Sequence, residues 1–242
     1  MNQENRRDVS LKTLPCLKKS VAALLLVLGS GATAANWPTL SVKPDLFAPG
    51  VNLTQSASAV TLKALTSQVP YVVAVGNSAY GDNYKISANL VFDSTSLTEL
   101  GLVARADTST LSLYELSLNP VNKYLTLVEI TNGTTFANLD AFQFTDFNIN
   151  TTYTLSLDVN GSSLTGYLYN GSTLVKKLEA TDSSLATGQL GIFVFKPTGG
   201  GSLISGTWDN PTLTVPEPAS LVLLIGAGLA LLGGGKRLAS FC

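Results

Sequence analysis

Asn160-Gly161 and Asn170-Gly171 stand ten residues apart, and the runs around them alternate apolar and polar side chains: TYTLSLDV, SSLTGYLY and STLVKKLEA. Alternation with a period of two sends successive side chains to opposite faces of a strand. Asn-Gly accepts positive φ at both central positions of a tight type I′ hairpin. The spacing therefore predicts a three-strand antiparallel meander. The same alternation runs through Tyr84, Ile86, Ala88, Leu90 and Phe92, and through Leu190, Ile192 and Val194. Asn132-Gly133 marks a further turn after LTLVEI, and the unbroken YVVAV of Tyr71–Val75 predicts a more fully buried strand. Strands of about 5–6 residues then give about ten to fourteen strands, packed as two sheets.

The two ends have a different character. Arg6, Arg7, Lys12, Lys18 and Lys19 precede the apolar run Val21–Leu28, and Ala32-Thr33-Ala34 places small residues at both positions that a signal peptidase reads. This is the three-part layout of a secretory leader, with cleavage expected after Ala34. Eight apolar residues are too few to cross a bilayer, which takes about 20. At the other end Val215-Pro216-Glu217-Pro218 is followed by 17 uncharged residues, 219–235, and then by Lys236-Arg237. The prolines make a stiff extended spacer. The apolar stretch is expected to form a transmembrane helix, with the basic pair on the cytoplasmic side. The expected organisation is a signal peptide over 1–34, a β-sandwich domain over 35–214 and a C-terminal sorting segment over 215–242.

Between the ends lie about 180 residues, enough for a single core. The two cysteines, Cys16 and Cys242, both fall outside this stretch, so the domain has no disulfide and no thiol for catalysis or metal binding. Eight Lys and Arg against thirteen Asp and Glu give it a net charge of −5, which offers no electrostatic footprint for nucleic acid. Histidine is absent, excluding Ser-His-Asp triads and His-metal sites.

The order Pro216-Glu217-Pro218, apolar helix, basic pair resembles the PEP-CTERM sorting signal of Gram-negative bacteria and cyanobacteria. That resemblance implies an exosortase as processing partner. It also implies inner-membrane anchoring before processing and delivery to the cell surface or an exopolysaccharide matrix afterwards. The ending LASFC after the basic pair is more apolar than the family pattern.

The words GLVARAD (101–107), YTLSLDVNGSSLTGYLYNG (153–171), TGQLGIFVF (187–195) and WDN (208–210), in that order, resemble the concanavalin A-like lectin/glucanase superfamily in its laminin-G-like branch. The resemblance implies an antiparallel jelly-roll sandwich. It also implies that sugar recognition would use an aromatic platform, polar loops and sometimes calcium.

For chemistry the residues offer little. Glycoside hydrolysis needs two carboxyl groups flanking the scissile bond. The Glu-x-Asp-x-(x)-Glu strand of the family's glucanases is missing; Glu99, Glu115 and Glu129 stand singly and are expected to be solvated. No catalytic residue is therefore assigned and a non-enzyme is expected. Of the aromatics Trp37, Tyr80, Tyr84, Tyr114, Tyr124, Tyr167, Tyr169 and Trp208, the pair Tyr167 and Tyr169 share one face of one strand. They form either a sugar-stacking platform or an ordinary packing pair. Asp107 and Asp209 are the candidate calcium ligands, although two carboxylates fall short of the 6–8 oxygens calcium takes. Arg105 is expected to sit in a structural ion pair. Three functions follow in order: a non-catalytic surface protein that binds polysaccharide, a structural surface protein without ligand, and a glycan hydrolase with an unusual carboxylate pair.

Overall fold

The computed structural model of the protein describes residues 32–42, 51–64, 71–92, 98–196 and 205–216. The greater part of the expected signal helix, together with Glu217, Pro218, the expected transmembrane helix and Lys236-Arg237, lies outside the described residues. No helix among the described residues is long and apolar enough to cross a membrane.

Fifteen strands make up the described part, one more than the upper expectation. They begin with β1 (Ala32–Ala35), β2 (Leu40–Val42), β3 (Val51–Gln55), β4 (Ala59–Ala64) and β5 (Tyr71–Tyr80). Then come β6 (Asn83–Phe92), β7 (Glu99–Asp107), β8 (Ser112–Asn119), β9 (Tyr124–Thr131) and β10 (Thr135–Gln143). The last are β11 (Tyr153–Asn160), β12 (Ser163–Asn170), β13 (Thr173–Thr181), β14 (Gly188–Phe195) and β15 (Ser205–Pro216). One sheet runs β13-β12-β11-β6-β15-β4-β3, with β1 added against β15; the other runs β10-β9-β8-β7-β14-β5-β2. Every pairing among the described strands is antiparallel, so the chain forms the expected two-sheet jelly-roll sandwich.

The alternating residues do what their period demands. Tyr84, Ile86, Ala88 and Leu90 of β6 and Leu155, Leu157 and Val159 of β11 are buried between the sheets. Val72 and Ala74 join them, while Val73 and Val75 join Phe193 in a second apolar cluster on the outward face of the β14-β5 region, so YVVAV is buried on both faces. Trp208 of β15 ties the two sheets: its buried indole Nε1 donates to the carbonyl of Gly101 in β7 at 3.1 Å. Gly101 has no room for a side chain, because a Cβ there would strike the Phe193 ring and the Leu116 carbonyl.

The meander β11-β12-β13 has the predicted strands but different turns. Asn160 pairs with Ser163 and Asn170 with Thr173, so the central residues are Gly161-Ser162 and Gly171-Ser172. Only the glycines take positive φ, at 55° and 58°. That is the pattern of type II′, with Gly first, rather than the expected type I′. The expected type I′ geometry occurs instead at Asn132-Gly133, with φ of 54° and 66°.

Arg105 makes no ion pair of the expected kind. It is buried at φ 49° on a bulge of β7. Its guanidinium donates to the carbonyls of Leu185 (2.7 Å), Asp82 (3.0 Å) and Gly161, and its backbone N–H donates to Tyr84 Oη at 3.0 Å. A planar fork of donors can hold several carbonyls at once, and here it clamps three chain connections at one end of the sandwich. The strand β1 is also unforeseen: Ala32–Ala34, placed with the leader by sequence, lie in a ladder with β15.

Candidate functional site

The outward face of the β10-β9-β8-β7-β14-β5-β2 sheet carries a groove of about 260 Å³. Its walls are Leu113, Val128, Ile130, Phe136 and Phe195, and its polar groups include Glu99, Glu115, Thr126 and Tyr71. Phe136 stands at the rim with 64% of its surface exposed. The arrangement follows from register. Gly101 lacks a side chain, so the Phe193 ring occupies the space over it. Tyr71 stacks on Phe193 with centroids 5.6 Å apart. From that stack the Tyr71 hydroxyl donates to Glu115 Oε2 at 2.9 Å. Beside it Asn119 Nδ2 donates to Glu99 Oε2 at 2.8 Å, and Ser117 and Thr126 share a hydrogen bond of 2.6 Å.

Glu99, Glu115 and Glu129 are therefore not the solvated residues the sequence suggested. Glu115 is buried, and Glu99 and Glu129 are half-buried. A strand that places Leu113, Glu115, Ser117 and Asn119 on one outward face covers the carboxyl with apolar and aromatic neighbours. Burial, then the nearby charge of Glu99, pushes the Glu115 carboxyl well above the usual range, against a lowering hydrogen bond from Tyr71. Burial also raises Glu99, opposed by hydrogen bonds from Ser117 and Asn119. Tyr71 is raised by burial and by Glu115. Glu129 instead accepts from Ser184 Oγ at 2.5 Å.

The expected aromatic platform exists as geometry on the other sheet. Tyr167 and Tyr169 are half-buried and stack with centroids 6.1 Å apart and planes at 21°. Lys85 Nζ lies 5.0 Å from the Tyr167 centroid, taking up part of that ring's binding surface. Their register neighbours Ser156 and Thr154 give this face polar character, and Thr154 Oγ1 donates to Asn89 Oδ1 at 2.7 Å. Of the other aromatics, Tyr84, Tyr114 and Trp208 are buried in the core and present no ring to a ligand.

The two candidate calcium ligands lie on different sheets. Asp107 ends β7, where its carboxylate accepts from Ser109 N–H (2.9 Å), Ser109 Oγ (2.6 Å) and Thr110 Oγ1 (2.9 Å). Those bonds, led by the Ser109 hydroxyl, hold its pKa below the usual range. Asp209 lies in β15 opposite Asn89 of β6. Among the described residues no group of three or more His, Cys, Asp or Glu could hold a metal ion. Among the described residues, Ala32 pairs with Pro216 of the expected sorting segment and Ala34 with Thr214 just before it.

The groove acids were missed because single glutamates in alternating strands carry no signal of pairing. A sequence signal that points to the rim is Phe136, a large apolar residue just after the Asn132-Gly133 turn.

No protein-family model and no curated protein matches the sequence. Solved structures do share the fold. The carbohydrate-binding module CBM66 from Bacillus subtilis aligns with a TM-score of 0.57 at 15% identity, over 74% of this chain and 96% of that one. A Bacillus licheniformis β-glucanase aligns with a TM-score of 0.54 at 10% identity, over 77% and 99%. The exoplasmic/lumenal domain of VIP36, in a form bound to Ca2+ and Man3GlcNAc, aligns with a TM-score of 0.51 at 12% identity, over 72% and 82%.

Proposed function

We propose that the protein is an exported bacterial surface or matrix component, sorted by an exosortase, whose sandwich binds polysaccharide without cleaving it. The observation that carries the binding role is the groove on the β8-β9 side, where an exposed Phe136 rim faces hydroxyl and carboxyl groups on the floor. Sugars present apolar C–H faces and hydroxyl edges, and such a site offers both an aromatic wall and hydrogen-bond partners. The structural likeness to a carbohydrate-binding module, a mannoside-bound lumenal domain and a glucanase supports the same class of ligand. Export rests on the basic, apolar and Ala32-Thr33-Ala34 pattern, and sorting on Pro216-Glu217-Pro218 with Lys236-Arg237. Signal peptidase and exosortase are then the processing partners, and a Gram-negative or cyanobacterial surface is the destination. Retention of the mature protein on a glycan array, lost on Phe136→Ala, tests binding. A wild-type protein that no glycan retains contradicts it.

One observation favours a second reading. Glu99 and Glu115 line the same groove, and after burial the charge of Glu99 helps raise the Glu115 carboxyl. Glycosidases use two carboxyl groups that flank the scissile bond, one of them held protonated by a raised pKa. Hydrolysis would release reducing ends from a bound glycan, and Glu115→Gln would abolish that release. Glycan that is retained with no reducing ends formed supports the binding role alone.

A further inference from the structure

The ladder between β1 and β15 pairs Ala32 with Pro216, Thr33 with Val215, Ala34 with Thr214 and Ala35 with Leu213. The opposite edge of the same stretch pairs with β6, Leu213 with Ile86 and Thr214 with Lys85. On the side that β1 occupies, β4 reaches only as far as the Ser205–Asp209 part of β15. Without β1, the second edge of Leu213–Pro216 would show unpaired N–H and C=O groups, a ready template for an added strand. The antiparallel register also sets the chain's entry at Ala32 directly against its exit at Pro216, the first residue of Pro-Glu-Pro.

We propose that β1 covers the strand edge that a sorting protease reads, and that leader removal uncovers it. This rests on the leader and sorting reading given above. Cleavage after Ala34 severs three of the four β1 residues from the domain and leaves one register pair, Ala35 with Leu213. Ala32-Thr33-Ala34 is then joined to β15 through three register pairs only, too little to keep the severed end of the leader in place against its conformational entropy. The freed edge of Leu213–Pro216 accepts an enzyme that binds substrate as an added β-strand, a common way of reading extended peptides. The order of processing is thereby built into the fold: the N-terminal cut comes first and makes the C-terminal site available. A chain still attached to its leader is not sorted prematurely.

Pulse-chase labelling of the full chain in a host with the sorting enzyme tests the order. Ala32→Phe with Ala34→Phe blocks leader removal while keeping a strand-compatible β1, and C-terminal processing should slow at least tenfold. Adding proline at 33 and 34 instead (Ala32→Phe, Thr33→Pro, Ala34→Pro) keeps the leader uncut. Successive N–H groups of a strand point to opposite sides, so two adjacent prolines must remove a donor facing β15. C-terminal processing should then return to within about threefold of the wild-type rate. Wild-type processing in the first variant, or no recovery in the second, overturns the proposal. Glu217→Ala separates the premise: normal processing of that variant shows that no enzyme reads the motif, and the proposal falls with the sorting reading.

Discussion

Tyr71 Oη donates to Glu115 Oε2 at 2.9 Å, from a ring stacked on Phe193, in a groove that also holds Glu99. The bond brings a phenol and a buried carboxyl into a place where neither is fully hydrated, and it gives the groove a titratable floor.

Stability should therefore depend on pH through Glu115. Its folded pKa lies above its ordinary value of 4.5 because of burial. Between those two values the folded chain binds more protons than the unfolded one, so this group's contribution is most favourable below the ordinary value and is lost as pH rises through the folded pKa. Glu115→Gln keeps an acceptor for Tyr71 and removes the titration. The Tm of the wild type minus that of Glu115→Gln should fall as pH rises from about 4 to about 8. A difference that does not change with pH contradicts the assignment.

Two glycines separate backbone strain from crowding. Gly161 takes φ 55° with nothing near an added Cβ, so Gly161→Ala should cost about 1 kcal/mol. Gly101 has ordinary φ but no space, so Gly101→Ala should cost about 3 kcal/mol by displacing Phe193. Because Tyr71 rests on Phe193, only the second change should also weaken ligand binding. Urea unfolding of both variants checks the order.

Arg105→Lys should destabilise by about 2 kcal/mol, measured the same way. A lysine ammonium cannot span the carbonyls of Leu185, Asp82 and Gly161 together, and each buried carbonyl left unpaired is costly.

Calcium chelation should leave glycan retention unchanged within error. Asp107 is engaged by Ser109 and Thr110, and Asp209 is on the other sheet, so the pair does not supply an oxygen shell. Loss of retention on adding a chelator would contradict this.

Much of the sandwich was legible because a strand with one face buried writes a period of two. Tyr84 to Leu90, Leu155 to Val159 and YVVAV all landed where their patterns placed them. The turns were legible as turns but not in register: Asn160 and Asn170 close their strands, and the glycine after each carries the positive φ alone. The groove was not legible. Glu99 and Glu115 are on adjacent strands, and their shared face depends on the bulge between Ala104 and Asp107 that shifts the β7-β8 register, which the alternation does not encode. Arg105 looked like an ion-pair residue because its partners, three backbone carbonyls, leave no mark in sequence. The Tyr167-Tyr169 pair was legible as a same-face pair, since it needs only one strand's alternation.

Calorimetric titration of the protein with bacterial extracellular polysaccharide tests the proposed binding role most directly. Wild type should bind saturably. Phe136→Ala should bind about tenfold more weakly, a loss of about 1.4 kcal/mol. Tyr167→Ala with Tyr169→Ala should stay within about twofold of wild type, a difference of about 0.4 kcal/mol. Absence of saturable binding, or binding lost with the tyrosine pair and kept without Phe136, would contradict the account.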